Sequence, residues 1–176
     1  MASSSHGTAS GDLIRVEDGA SVAILDARAW PIVVATWFDE PTEALVRRYF
    51  EAHAVLLERA RSLNEPFILV TDTFATKQPS AKARKLIADL TLAQPDYTAR
   101  LTVGSIIVIE SAILRGVVTA LQWILPRIGD SEIVSNIAVA LERALALLDR
   151  RGIARPSGFS SRSYQRPTRS SGSGAR

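Results

Sequence analysis

The chain has 176 residues, 47% of them hydrophobic, so it is of single-domain size and can bury a sizeable core. It contains no cysteine, which excludes disulfides, cysteine-ligated metal clusters and thiol nucleophiles. The formal net charge of +3 comes from arginines that follow Ile153, and the rest of the chain is close to neutral. The charge therefore does not predict a basic nucleic-acid-binding face on the folded domain.

Three regions are predicted along the chain. Residues 1–12 form a disordered leader without the basic and apolar regions of a signal peptide. Residues 13–152 form one α/β domain, and residues 153–176 form an Arg/Ser-rich tail that is too polar to offset its ordering entropy. No stretch reaches the ~18 apolar residues of a membrane span. A cytoplasmic location is expected.

The first predicted elements are three strands and a long helix. Strands over Leu13–Glu17 and Ser21–Leu25 are joined by a turn at Asp18-Gly19, a dipeptide typical of hairpins. A third strand covers Ile32–Phe38. Apolar residues then recur at helical spacing from Thr42 to about Leu63, which predicts an amphipathic helix that ends at Asn64-Glu65-Pro66.

Two apolar runs of strand length dominate the second half. The first, Phe67–Thr71, precedes a predicted loop over Asp72–Pro79 and a helix capped by Ser80. The second lies within Leu101–Ile109, where Gly104 indicates a bulge or a close backbone approach. Buried strands that alternate with helices indicate an α/β layer architecture.

The remaining predicted elements complete a βββαβαβαβα order. Ser111 caps a helix over 112–125, a short strand lies near Glu132–Ser135, and a last helix runs from Ile137 to about Arg151. Gly152 is suited to the left-handed position after that helix. The first strands can pair as antiparallel hairpins and the later strands should be parallel, so the order predicts a mixed sheet.

This order of elements resembles the bacterial SpoIIAA-like proteins of the STAS/SEC14 (CRAL-TRIO-like) group. The resemblance spans about Leu13 to Gly152. It is closest over Ala112–Leu125 (AILRGVVTALQWIL) and in the helix that contains Leu141–Leu148 (LERALALL). It implies a mixed sheet with helices packed mainly on one face, and a signalling or binding role more often than catalysis.

The resemblance also implies a candidate phospho-switch. STAS anti-sigma-factor antagonists carry an Asp-Ser-Ser-Gly motif with a phosphorylated serine, and the corresponding stretch here reads Asp72-Thr73-Phe74-Ala75. The aspartate and one hydroxyl match, whereas the second serine and the glycine do not. SEC14-type members hold a lipid in an apolar cavity between sheet and helices, although this chain has no extra helical lid.

Carboxylates and hydroxyls at strand ends form a second candidate site. Asp72, Thr73, Glu110 and Ser111 are candidates for a phospho-switch or a ligand-binding edge, because open α/β sheets bind ligands beyond the carboxyl ends of their strands. Asp39, Asp72 and Glu110 can alternatively bind Mg²⁺ or remain ordinary solvated acids. The commoner role of such polar side chains is to cap backbone groups.

The predicted helix 112–125 carries a wider apolar arc than one sheet face covers. Ala112, Gly116, Ala120 and Trp123 place small residues beside an aromatic anchor, which is the composition of an interface hot spot. A homodimer or a protein partner would dock there. The alternative is that another helix of the same chain covers Trp123.

Few residues support catalysis. His53 falls on the apolar stripe of the long helix, where histidine is most often a packed, hydrogen-bonded core residue. No Gly-x-Ser-x-Gly elbow and no Walker or Rossmann phosphate loop is present. No cofactor or metal is predicted.

The leading hypothesis is a non-enzymatic regulatory or scaffold module that binds proteins. The alternatives are a carrier or sensor of a small apolar ligand or lipid, and an enzyme that uses strand-end carboxylates. The basic tail can contact nucleic acid or an anionic surface weakly, through counterion release.

Overall fold

The computed structural model describes residues 12–110 and 131–171, and these contain one six-stranded mixed sheet. The strands follow one another across the sheet in chain order. β1, β2 and β3 pair antiparallel, and β3 through β6 pair parallel. The strands are β1 Leu13–Asp18, β2 Ser21–Ala29, β3 Ile32–Asp39, β4 Phe67–Thr76, β5 Thr102–Val108 and β6 Glu132–Val134. The predicted mixed α/β sheet is confirmed.

Four helices are described, and side chains cap the three long ones. Thr42, Ser80 and Asn136 each accept a hydrogen bond from the backbone N–H three residues later. The long first helix ends as predicted, because Asn64 adopts a left-handed conformation with φ 52°. The helices are α1 Glu43–Leu63, α2 Ala81–Leu92, α3 Thr98–Leu101 and α4 Ile137–Arg150. Among the described ranges, no helix has the length and apolarity needed to cross a membrane.

Alternating side chains give the sheet two different faces. We call the first the cavity face: Phe67 and Leu69 of β4 pack there with α1, α2 and α3. We call the second the tail face: Ile68 and Val70 pack there with α4 and with residues that follow it. Of the described helices, three thus lie on the cavity face and α4 lies on the tail face.

Strand β4 is longer than the sequence predicted. The apolar run ends at Thr71, and a loop was predicted over Asp72–Pro79, yet β4 continues to Thr76. The prediction was wrong for residues 72–76 because backbone pairing with β3 continues beyond the apolar residues, up to the Asp39–Thr76 pair. Asp72 and Thr73 therefore lie within a strand. The short helix α3 was also not predicted.

Gly104 has both features that its position in a strand predicted. The β4–β5 register shifts between Phe67 and Ile68, which leaves one extra residue on β5. A Cβ atom at Gly104 would overlap Cδ2 of Leu147 on α4. Gly104 therefore lets α4 lie close against the sheet.

We expect Gly104→Ala to lower the free energy of unfolding by about 1 kcal/mol, the lower end of the cost of overpacking, because the overlapping atom is the end of the partly buried Leu147 side chain, which can rotate away. Urea unfolding of both single variants and of the Gly104→Ala/Leu147→Ala double variant measures the effect. The double variant should lose less stability than the two single losses added together, since Leu147→Ala removes the overlapping atom. A Gly104→Ala variant as stable as the parent would contradict the close approach.

Candidate ligand-binding cavity

A cavity of about 320 Å³ lies between the cavity face of the sheet and helices α1, α2 and α3. This volume is at the lower end of the range of about 300–1,000 Å³ for small-molecule pockets. At the density of liquid water, a space of this volume holds about ten water molecules. The cavity is thus large enough for a small organic ligand.

The walls of the cavity are mainly apolar. Leu69 and Ile107 line it from β4 and β5, and Trp37, Tyr49 and Phe50 add an aromatic wall. The rings of Trp37 and Tyr49 lie 4.4 Å apart between centroids, and Tyr49 and Phe50 meet edge to face at 5.5 Å. These contacts fix the wall, so this surface is preformed for an apolar group.

Threonine hydroxyls interrupt the apolar walls, and three of them donate hydrogen bonds to backbone carbonyl oxygens. Thr73 donates to the carbonyl oxygen of Val108 at 2.6 Å, and Thr76 donates to that of Trp37 at 3.2 Å. Thr91 donates to the carbonyl oxygen of Ile87 at 2.7 Å. These three hydroxyls hold the walls in place, and their donor hydrogens are already used.

His53 is buried among the lining residues, as predicted for a packed histidine. Its Nδ1 lies 3.1 Å from the side-chain nitrogen of Gln94, and its ring is 15° from parallel to that of Tyr49. Burial lowers the pKa of His53 to about 4. The imidazole is therefore neutral at pH 7.

Buried polar atoms without a partner concentrate at this cavity. In the described parts of the chain, four buried side-chain atoms lack a hydrogen-bond partner: Thr36 Oγ1, His53 Nε2, Thr98 Oγ1 and Thr102 Oγ1. The last three belong to residues that line the cavity. Each unpaired atom costs about 1–3 kcal/mol.

Comparison with protein-family models and with curated proteins finds no match to this chain. The SpoIIAA-like resemblance therefore stays a prediction. Function has to be argued from the geometry of the site.

The predicted strand-end residues do not form one site. Asp72 and Thr73 are adjacent in β4, so their side chains lie on opposite faces of the sheet. Thr73 lines the cavity, whereas Asp72 is buried on the tail face next to Arg166. The phospho-switch stays a prediction. Ser111 and the predicted interface residues Ala112, Gly116, Ala120 and Trp123 lie outside the described residues.

Asp72 and Glu110 are brought together by Arg166. The guanidinium of Arg166 donates from Nε to Asp72 Oδ2 at 2.7 Å and from Nη2 to Glu110 Oε1 at 2.8 Å. It also lies 4.2 Å above the ring of Phe74. The Asp72 side chain is 0% exposed, and burial raises its pKa above the ordinary value even though Arg166 favours the ionised form. Arg166 is thus the counterion of a buried carboxylate.

Further contacts fix the segment that contains Arg166. Tyr164 donates from its hydroxyl to Asp26 at 3.2 Å, and Arg169 pairs with Asp39 at 2.9 Å. Phe159 and Tyr164 pack against the tail-face core. Residues 153–171 thus pack on the domain, whereas the sequence analysis expected a disordered tail. The boundaries of leader, domain and tail stay a prediction.

The strand-end carboxylates pair with cations of the chain itself. Asp39 contacts Lys77 at 3.0 Å as well as Arg169, and Asp72 and Glu110 share Arg166. The described residues contain no group of three or more His, Asp or Glu side chains placed to hold a metal ion. Within those residues, this geometry favours ion pairing at the sheet edge over the Mg²⁺ alternative.

The sequence analysis did not predict several residues that line the cavity face or are buried on the tail face of the sheet. Thr71 and Thr73 are two residues apart in β4, on the same face as Leu69, and this period-two spacing was the available signal that hydroxyls share the cavity wall with apolar side chains. Asp26 at the end of an apolar run was a similar signal for a buried acid. Thr98 and Thr102 carried no such signal, because their position depends on the unpredicted helix α3.

Proposed function

We propose that this protein binds a small, mainly apolar ligand in the cavity and acts as its carrier or sensor. The observation that carries the proposal is the cavity of about 320 Å³, whose described lining residues are mainly apolar and include no Asp, Glu, Lys or Arg. Binding sites typically combine an apolar surface with a few polar groups that orient the ligand.

The titratable groups at the cavity support binding over catalysis. Tyr49 and His53 are the titratable side chains among the described lining residues. Burial raises the pKa of Tyr49 and lowers that of His53 to about 4. General acid–base catalysis works best with a pKa near the operating pH, and neither group meets that condition at pH 7. That the protein is not an enzyme stays a prediction.

The other parts of the functional hypothesis also stay proposals. A regulatory or scaffold role through helix 112–125 rests on residues outside the described ranges. The SpoIIAA-like STAS/SEC14 relationship is supported by the mixed sheet and by the helices α1 and α2 that link its parallel strands. A cytoplasmic location is consistent with the absence of cysteine from the sequence.

We expect Thr71→Phe to abolish ligand binding, because the added ring occupies the cavity from β4. The matched control is Val55→Phe, which adds a ring at an exposed site on α1. Binding of an apolar fluorescent probe, with displacement by octanol, measures occupancy of the cavity. We expect the control to bind as the parent does and Thr71→Phe to lose at least about tenfold in affinity. Equal binding by both variants, or no binding by the parent, would overturn the proposed function.

A further inference from the structure

Residues 159–169, which we call the tail segment, are held on the domain by side chains. Within the described residues, no backbone–backbone hydrogen bond joins this segment to the sheet. Its own backbone bonds are local, as where the N–H of Ser163 donates to the carbonyl oxygen of Ser160 at 3.2 Å. The segment is therefore attached in the way that a bound peptide is, through its side chains.

The domain presents acids from several strands to this segment. The pairs are Tyr164 with Asp26, Arg166 with Asp72 and Glu110, and Arg169 with Asp39. Asp26 and Asp72 are only 2% and 0% exposed, but Asp26 also pairs with Arg28 of its own strand. Among the described residues, Asp72 pairs with no cation except Arg166. Because a buried carboxylate without a counterion is costly, Asp72 depends on the tail segment.

Aromatic contacts accompany the ion pairs. The rings of Phe159 and Tyr164 meet edge to face at 6.1 Å between centroids, and both pack against the tail-face core. Arg166 lies above the ring of Phe74. Aromatic anchors and desolvated arginine pairs are the side chains that dominate binding between separate proteins. These contacts do not depend on both partners belonging to one chain.

The connection that leads to the tail segment is exposed. Residues 154–158 lie at the surface, and all of them except Pro156 are exposed. Gly152 and Gly158 have φ of 66° and 68°, a conformation that glycine adopts without strain. Exchange of a segment between copies requires such a linker, because the linker must change direction while the contacts of the segment are kept.

We propose that the tail segment of one molecule binds to the tail face of a second copy in place of that copy's own segment, so that two copies exchange segments reciprocally. This interaction is separate from the proposed ligand binding, since the cavity lies on the other face of the sheet. The exchanged contacts equal those within one chain, and the linker gives the segment an effective concentration on the order of 1 mM. The parent chain is therefore monomeric at micromolar concentrations.

Two complementary full-length variants test the exchange. Arg166→Ala keeps the carboxylate of Asp72 but lacks its arginine, and Asp72→Asn keeps the arginine but lacks the carboxylate. Neither variant forms the Arg166–Asp72 pair by itself, whereas a mixed dimer forms it once between the two chains. The recovered pair should favour the mixed dimer by about a hundredfold. The mixed dimer should then dissociate with a Kd of about 10 µM.

Sedimentation velocity and native mass spectrometry of an equimolar mixture at about 100 µM should show a heterodimer that neither variant forms alone. Arg155→Ala mixed with Asp149→Asn is the matched control, because this exposed pair lies outside the tail segment, and the mixture should stay monomeric. Arg169→Ala mixed with Asp39→Asn is a second complementary pair with less buried groups, which tests the exchange if Arg166→Ala does not fold.

Two results would overturn the proposal. One is that both complementary mixtures remain monomeric at this concentration, with circular dichroism showing that at least the Arg169→Ala and Asp39→Asn chains are folded. The other is a dimer of equal strength in the Arg155→Ala and Asp149→Asn mixture, because association would then not depend on the contacts of the tail segment.

Discussion

Arg166→Ala is expected to lower the free energy of unfolding by about 3 kcal/mol. The substitution leaves the carboxylate of Asp72, which is 0% exposed, without its counterion. Removal of one partner from a buried ion pair typically costs about 3–5 kcal/mol. The lower end of that range applies because the Arg166 side chain is 26% exposed and solvent screens part of the interaction. Urea unfolding at pH 7 measures the loss.

Two further variants identify the cause of that loss. Arg155→Ala is the matched control, because Arg155 pairs with Asp149 where both side chains are more than half exposed, and it should cost much less than Arg166→Ala. Asp72→Asn in the Arg166→Ala background should restore part of the stability, since it removes the unpaired charge. Arg166→Ala with a loss no larger than that of Arg155→Ala would show that the pair does not stabilise the fold.

Lowering the pH from 7.5 to 4 is expected to lower the free energy of unfolding by about 3 kcal/mol through protonation of His53 alone. Its pKa is lowered to about 4 in the folded protein by burial, from 6.5 for the unperturbed group. The unfolded chain therefore binds the proton more readily than the folded chain between these pH values. The contribution of His53 to the free energy of unfolding has its full value above about pH 6.5. It falls as the pH is lowered and levels off below about pH 4.

The variant His53→Gln isolates this effect. Glutamine does not titrate and can still accept a hydrogen bond from Gln94. Urea unfolding of both proteins between pH 7.5 and pH 4 should show the stability difference between them shrink by about 3 kcal/mol on acidification. Asp72 acts in the opposite direction, because its pKa is raised by burial, but it is common to both proteins. A pH-independent difference would contradict the lowered pKa.

The sheet was predictable because its strands carry local signals. Apolar runs at 67–71 and 105–109, the turn at Asp18-Gly19 and the cap residues Thr42 and Ser80 each depend on a few neighbouring residues. The extension of β4 to Thr76 was not predictable in the same way, because polar residues there are held by pairing with β3. Local pattern thus predicts the elements better than their ends.

The contacts of residues 153–171 with the domain, and the cavity, could not be predicted from the pattern of apolar and polar residues in the sequence. Arg166 and Asp72 are 94 positions apart, and nothing in either neighbourhood indicates the pairing. The burial of His53 followed from its position on the apolar stripe of α1. Its unpaired Nε2 depends instead on how α1, α3 and the sheet pack together, which periodicity does not encode.

The position of Arg166 has a consequence for synthesis of the protein. Chains are made from the N-terminus, and every described strand of the sheet precedes residue 135. A nascent chain that has reached the end of α4 therefore contains the whole described sheet, while the carboxylate of Asp72 still lacks its arginine. The contact that neutralises Asp72 forms only after Arg166 has left the ribosome, so maturation of this domain depends on a segment that is made after all of its described strands.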